Sequence, residues 1–185
     1  MTLKFQPRFF TIIVSSLINQ VSFGQTTTDL GNIHGNFQID AANYQRDTII
    51  GADPGSEVFR YNAFGNINYT KGGFSAGMRY ESYNPPLIGY LAGYKGSGVP
   101  YRFARYQHKD IDITVGNFYE QFGSGITLRA YENRGLLYDN ALDGMRVIFT
   151  PRNGITLKGL VGKQRTYFSL SPGVVRGLDG EVNIM

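Results

Sequence analysis

Cysteine and tryptophan are absent from the 185 residues, and histidine occurs only twice. Without cysteine there is no disulfide frame, no thiolate metal set and no lipid-bearing N-terminal cysteine. Charge is also sparse, at 17% of residues. The longest apolar-leaning run, Phe9 to Leu17, is far short of the roughly 20 residues that a membrane-spanning helix needs. What the chain has instead is glycine (24) and tyrosine with phenylalanine (13 each). Small residues suit curved strands, and aromatics suit the two interfaces of a membrane barrel; the same composition also fits a soluble all-β domain. The length suits one domain.

The first 24 residues have the build of a secretory signal peptide. Lys4 and Arg8 form a basic start, an apolar run follows, and Ser22 and Gly24 stand at small-residue positions before the expected cut. Loss of those two cations lowers the formal net charge from +4 to about +2. The remaining basic residues are scattered singly among acids, so no nucleic-acid partner is expected.

Hydrophobic period organises the rest. From Glu57 to Thr70, Phe59, Tyr61, Ala63, Gly65, Ile67 and Tyr69 share one parity, while Arg60, Asn62, Asn66, Asn68 and Thr70 share the other. After Lys71-Gly72-Gly73, Phe74, Ala76, Met78 and Tyr80 alternate with Ser75, Gly77, Arg79 and Glu81. Side chains on a strand alternate between faces, so this is a hairpin with one apolar and one polar side, its strands long enough to cross a bilayer. Similar alternation predicts strands over 33–44, 100–107, 111–116, 145–150 and 155–161, and the opening of an eighth at 180–185. The connections near 45–56, 84–98, 117–143 and 164–178 are long, whereas those near 71, 109 and 152 are short. Long loops on one side and tight turns on the other distinguish an up-and-down transmembrane β-barrel from a soluble sandwich, the alternative. An eighth strand of six residues cannot cross, and seven leave an open edge, so residues 25–185 are expected to be the N-terminal part of a larger outer-membrane barrel.

On the polar parity, Asp40, Glu81 and Asp112 are expected to face the lumen, balanced by Arg60, Arg79, Arg102, Arg146 and Lys158. Asp47, Asp53, Glu120, Glu132, Asp139 and Asp143 fall in the predicted external loops. The segment 117–143 is too aromatic for a solvated loop. Phe118, Tyr119, Phe122, Tyr131 and Tyr138 suggest that it folds inward as a plug or packs on a partner, with Arg129, Glu132 and Arg134 available to pair with lumen charges. His34 and His108 both fall toward the periplasmic side, away from the outer rim where a barrel hydrolase would need them, so no enzymatic activity is expected. Asp139 to Asp143 only weakly approximates a calcium loop, and Gly116-x-x-x-x-x-x-Gly123-x-Gly125 has no phosphate-loop context. No cofactor is expected.

The stretches GNFYEQFGSG at 116–125, LRAYENR at 128–134 and DNALDGMR at 139–146 resemble a family of uncharacterised outer-membrane barrel proteins of the Bacteroidota. The resemblance implies compartment and fold but no catalytic residues. The expected partners are outer-membrane lipid and either envelope proteins or small solutes. Three roles stay open: a structural, pore or assembly barrel, which is favoured; a surface module using loop 117–143 to hold a glycan or partner protein; and a barrel hydrolase, which the histidine placement disfavours.

Overall fold

The computed structural model describes residues 30–134 and 138–183; the predicted signal peptide lies outside the described residues. Eight long strands form one antiparallel sheet. They are β1 (Asn32–Asn43), β2 (Phe59–Lys71), β3 (Phe74–Tyr83), β4 (Gly96–His108), β5 (Ile111–Phe118), β10 (Leu142–Arg152), β11 (Ile155–Thr166) and β12 (Ser169–Val182). Each is paired with its neighbours in chain order. Four two-residue strands lie between β5 and β10: β6 (Glu120–Gln121) pairs with β7 (Arg129–Ala130), and β8 (Glu132–Asn133) with β9 (Tyr138–Asp139). A 3-10 turn, Ala92–Tyr94, lies between β3 and β4.

The period-two pattern of β2 and β3 becomes a real partition. Asn62 opposes Asp40 on one side and Tyr83 on the other, and Asn66 opposes Asn36 and Arg79, so the polar parities of adjacent strands share a face. That face is the buried one. Asn62, Glu81 and Arg79 are 0%, 1% and 6% exposed, whereas Phe37 and Leu178, on the opposite face, are 70% and 89% exposed. The inner face buries ions and amides beside Phe64, Phe118, Leu142 and Leu160, while the outer face exposes large apolar side chains, an exposure unusual for a water-soluble domain.

The sheet is also curled. β3 and β11 are four strands apart, about 19 Å across a flat sheet at the usual strand spacing. Glu81 of β3 nevertheless touches Arg165 of β11 at 2.6 Å, a gap that two extended side chains cannot span. Among the described residues β1 and β12 each pair on one side only, so this is a trough with two edges and not a closed barrel.

Several expected boundaries move. The predicted loop 164–178 is instead a hairpin: β11 runs on to Thr166, Tyr167-Phe168 form the turn, and β12 spans fourteen residues. Residues 96–98, expected in a loop, belong to β4. The reason is local chemistry. The turn places Tyr167, a bulky residue, at φ 56° where Gly or Asn would be the usual signal. The ladder also slips between Lys163 and Arg165, opposite a β12 stretch that contains Pro172-Gly173, which breaks the alternation.

Candidate functional site

The described residues of the connection between β5 and β10, 119–134 and 138–141, lie against the inner face of the trough. The first anchor is apolar: Phe118 and Ala130 form a buried cluster with Leu142 and Leu160, and Phe122 and Leu128 pack on it. Phe122 fits where β12 has no side chain, since a Cβ on Gly177 would stand 2.5 Å from its ring. Asn140 then knits the segment to itself. Its Oδ1 accepts from the Tyr131 amide at 2.7 Å and its Nδ2 donates to the Arg129 carbonyl at 3.1 Å.

The second anchor is ionic. From the wall come Arg79 and Glu81 on β3 and Arg165 on β11; from the segment come Glu132, Arg134 and Asp139. Arg79 reaches Glu132 at 2.9 Å, Asp139 at 2.7 Å and Glu81 at 2.7 Å. The last is a close charge contact in which Nε is not aligned for a hydrogen bond. Arg165 meets Glu81 through both terminal nitrogens and also pairs with Asp139. Its Nε donates to the Tyr167 carbonyl at 2.6 Å. Arg134 pairs with Glu132 at 3.0 Å and lies over the Phe64 ring, 4.6 Å from its centroid. The wall groups carry one net positive charge and the segment groups one net negative, so the assembled cluster is neutral. That balance is what permits burial, because an unpaired ion in this setting would cost several kcal/mol.

Hydroxyls complete the cluster. Tyr83 donates to Glu81 at 3.2 Å and Tyr119 to Asp139 at 3.1 Å. Burial, reinforced by the Asp139 charge, pushes the Tyr119 hydroxyl up, which keeps it a donor. Burial also pushes the Glu132 carboxyl up, but the nearby Arg79 and Arg134 outweigh it and hold the group below its ordinary value of 4.5. Beside the ions, at the end of the trough carrying the long connections, Tyr83 packs with Tyr90, Tyr94 and Phe168, and Tyr94 meets Tyr167 at 4.8 Å.

A second ionic group lies toward the opposite end. Glu120 pairs with Arg146 at 3.1 Å and Lys158 at 3.4 Å, and Lys158 also meets Glu181 at 2.9 Å. Asp112 accepts both Nε and Nη2 of Arg105, at 2.9 and 2.6 Å, with Arg146 at 3.7 Å.

Seven of the eight candidate lumen charges share the inner parity, but the structure does not bring them into one group. Arg79 and Glu81 enter the first cluster; Asp112, Arg146 and Lys158 enter the second. Arg60 donates to the carbonyls of Pro54, Glu57 and Pro86, and Asp40 accepts from Gln38 on the exposed strand β1. Arg102 is a correction: it has the outer parity, is exposed and pairs with Asp143, itself in β10 and not in a loop. Glu120, Glu132 and Asp139, expected in an external loop, turn inward. Arg129 lies over the Tyr131 ring at 4.6 Å, and Tyr131 packs on Tyr138. His34 sits near the start of β1, and His108 stacks on Tyr106 at the end of β4.

Sequence reasoning missed Arg165, Asp139 and Glu120 as inward groups, together with the tyrosine cluster. Val174-Val175, a β-branched pair, was the one available sign that Arg165 lies inside a hairpin. Among the described residues no group of three His, Asp or Glu side chains is arranged to hold a metal ion.

Fold and site together define a class: an antiparallel all-β chain whose sheet buries ion pairs, exposes apolar side chains and folds one connection into its concave face. The chain belongs to a family of unknown function, DUF6029, which it matches over residues 7–185. No curated protein matches it.

Proposed function

We propose that the chain is an outer-membrane β-barrel protein with a structural, pore or envelope-assembly role, exported through a cleaved leader, in an envelope of the Bacteroidota type. One observation carries the reading: apolar side chains cover the exposed face of the sheet, while paired ions and amides are buried on the concave face beside aromatic and aliphatic groups. Lipid rewards the first arrangement, and a lumen requires the second. A soluble sandwich would cover the apolar face with a second sheet. Strand lengths of eight to fourteen residues also fit a tilted crossing. Three of the four two-residue turns cluster at one end and three long connections at the other, as expected for periplasmic and external sides.

Segment 119–141 fits a constriction or plug better than a grip on an external ligand, because its aromatic and charged groups are engaged inward. His34, near the start of β1, and His108, at the end of β4, both stand at the tight-turn end of the sheet, away from the rim where a barrel hydrolase would need them. The partners are then outer-membrane lipid and envelope proteins or small solutes. Fractionation of native cells, with gels of unboiled and boiled samples, tests the compartment and the barrel. Enrichment in the outer membrane with a heat-dependent shift is expected; recovery as a soluble periplasmic protein would overturn the reading. Planar-bilayer recordings then separate pore from scaffold.

A further inference from the structure

One rung of the sheet breaks the apolar character of the outer face. The Arg102 amide of β4 donates to the Asn117 side chain of β5 at 2.8 Å; Asn117 opposes Asp143 of β10, Asp143 opposes Lys163 of β11, and Lys163 opposes Val174 of β12. Arg176 stands one outward position below Val174. Cations scattered singly along the sequence are thus gathered by register into a strip carrying Arg102, Lys163 and Arg176 against one carboxylate, Asp143. Among the described residues neither Lys163 nor Arg176 has an ion-pair partner.

The height of the strip is informative. Below it the outer face is apolar, with Met145, Phe149, Leu157, Val161 and Leu178 exposed. Lys163 lies eight residues above Ile155, roughly 26 Å along the strand and about 20 Å of height at a barrel tilt, against an apolar band of about 25 Å. Above the strip β4 is no longer paired with β5, whose ladder stops at Phe103 and Gly116. There a cavity of about 230 Å³ opens, lined by Val99, Arg102, Asp143, Phe168 and Leu170 among others.

We infer that this strip is a binding shelf for the phosphate headgroup of an anionic outer-leaflet lipid, with the acyl chains running down the apolar face beneath it. The inference rests on the membrane reading above. The net positive charge selects an anion, and the adjoining apolar surface selects one with tails; free phosphate satisfies only the first.

The test uses the full chain in uncharged detergent, titrated with dioctanoyl phosphatidic acid, dioctanoyl phosphatidylcholine or inorganic phosphate, with binding read by native mass spectrometry. Phosphatidic acid is expected to bind about tenfold or more tightly than phosphatidylcholine, a preference that R102Q/K163Q removes while keeping its unboiled-gel shift. Equal binding of the two lipids, or an undiminished preference in the variant, overturns the shelf. Inorganic phosphate binding as tightly as phosphatidic acid overturns the lipid assignment. A wild-type chain with no heat-dependent shift would instead refute the barrel reading itself.

Discussion

Glu81 is the residue on which the first ionic cluster turns, because it accepts hydrogen bonds from Arg165 and is a close counter-charge to Arg79, with its side chain 2% exposed. Replacing it by Gln leaves both arginines short of a counter-charge in a buried site, and the expected loss is about 3–5 kcal/mol. Urea titration of the folded band on unboiled gels measures it; a loss below about 1 kcal/mol would mean that the cluster is solvated. Glu132 gives a pH test. Its folded pKa is depressed, so its stabilising contribution is full above the ordinary value of 4.5 and disappears as pH falls through the lower folded value. Segment 119–141 should therefore lose protease protection as pH falls from 7 past the ordinary 4.5 and on through the lower folded value, and Glu132→Gln should flatten that dependence. Equal protection across that pH range, in wild type and variant alike, contradicts the assignment.

At the scale of elements, segment 119–141 depends on a slot in β12. A side chain on Gly177 collides with Phe122, so Gly177→Leu should destabilise the protein by about 1–3 kcal/mol, the range of an overpacked core. Phe122→Ala in the same chain should recover part of that loss, a coupling measurable by a double-mutant cycle; strictly additive effects would place Phe122 elsewhere. The elements also show what could be read from sequence. The β2–β3 hairpin was legible because its alternation is unbroken and its turn carries Gly72-Gly73. β12 was not, since the turn before it is Tyr167-Phe168 and its register slips near Pro172. The inward aromatic character of 117–143 could be seen in Phe118 and Phe122. The choice of Arg79 and Arg165 as partners for Asp139 could not, because it arises only when curling brings β3 near β11.

The eight-stranded sheet, from Asn32 to Val182, has one face curled inward and one turned out, and its parity decides which side chains meet solvent or lipid. That partition was present in the sequence as period two, which identifies two faces without saying which is covered. Curling settles the matter by burying the polar one. The most direct test exploits the absence of cysteine. Single cysteines at Val115 and Leu157 on the outer face and at Ser75 on the inner face, each carrying an environment-sensitive fluorophore, are reconstituted into vesicles with brominated acyl chains. The account predicts strong quenching at Val115 and Leu157 and little at Ser75. Quenching by aqueous iodide but not by bromolipid at Val115 and Leu157 would put the apolar face in water or against protein, and would contradict the membrane barrel.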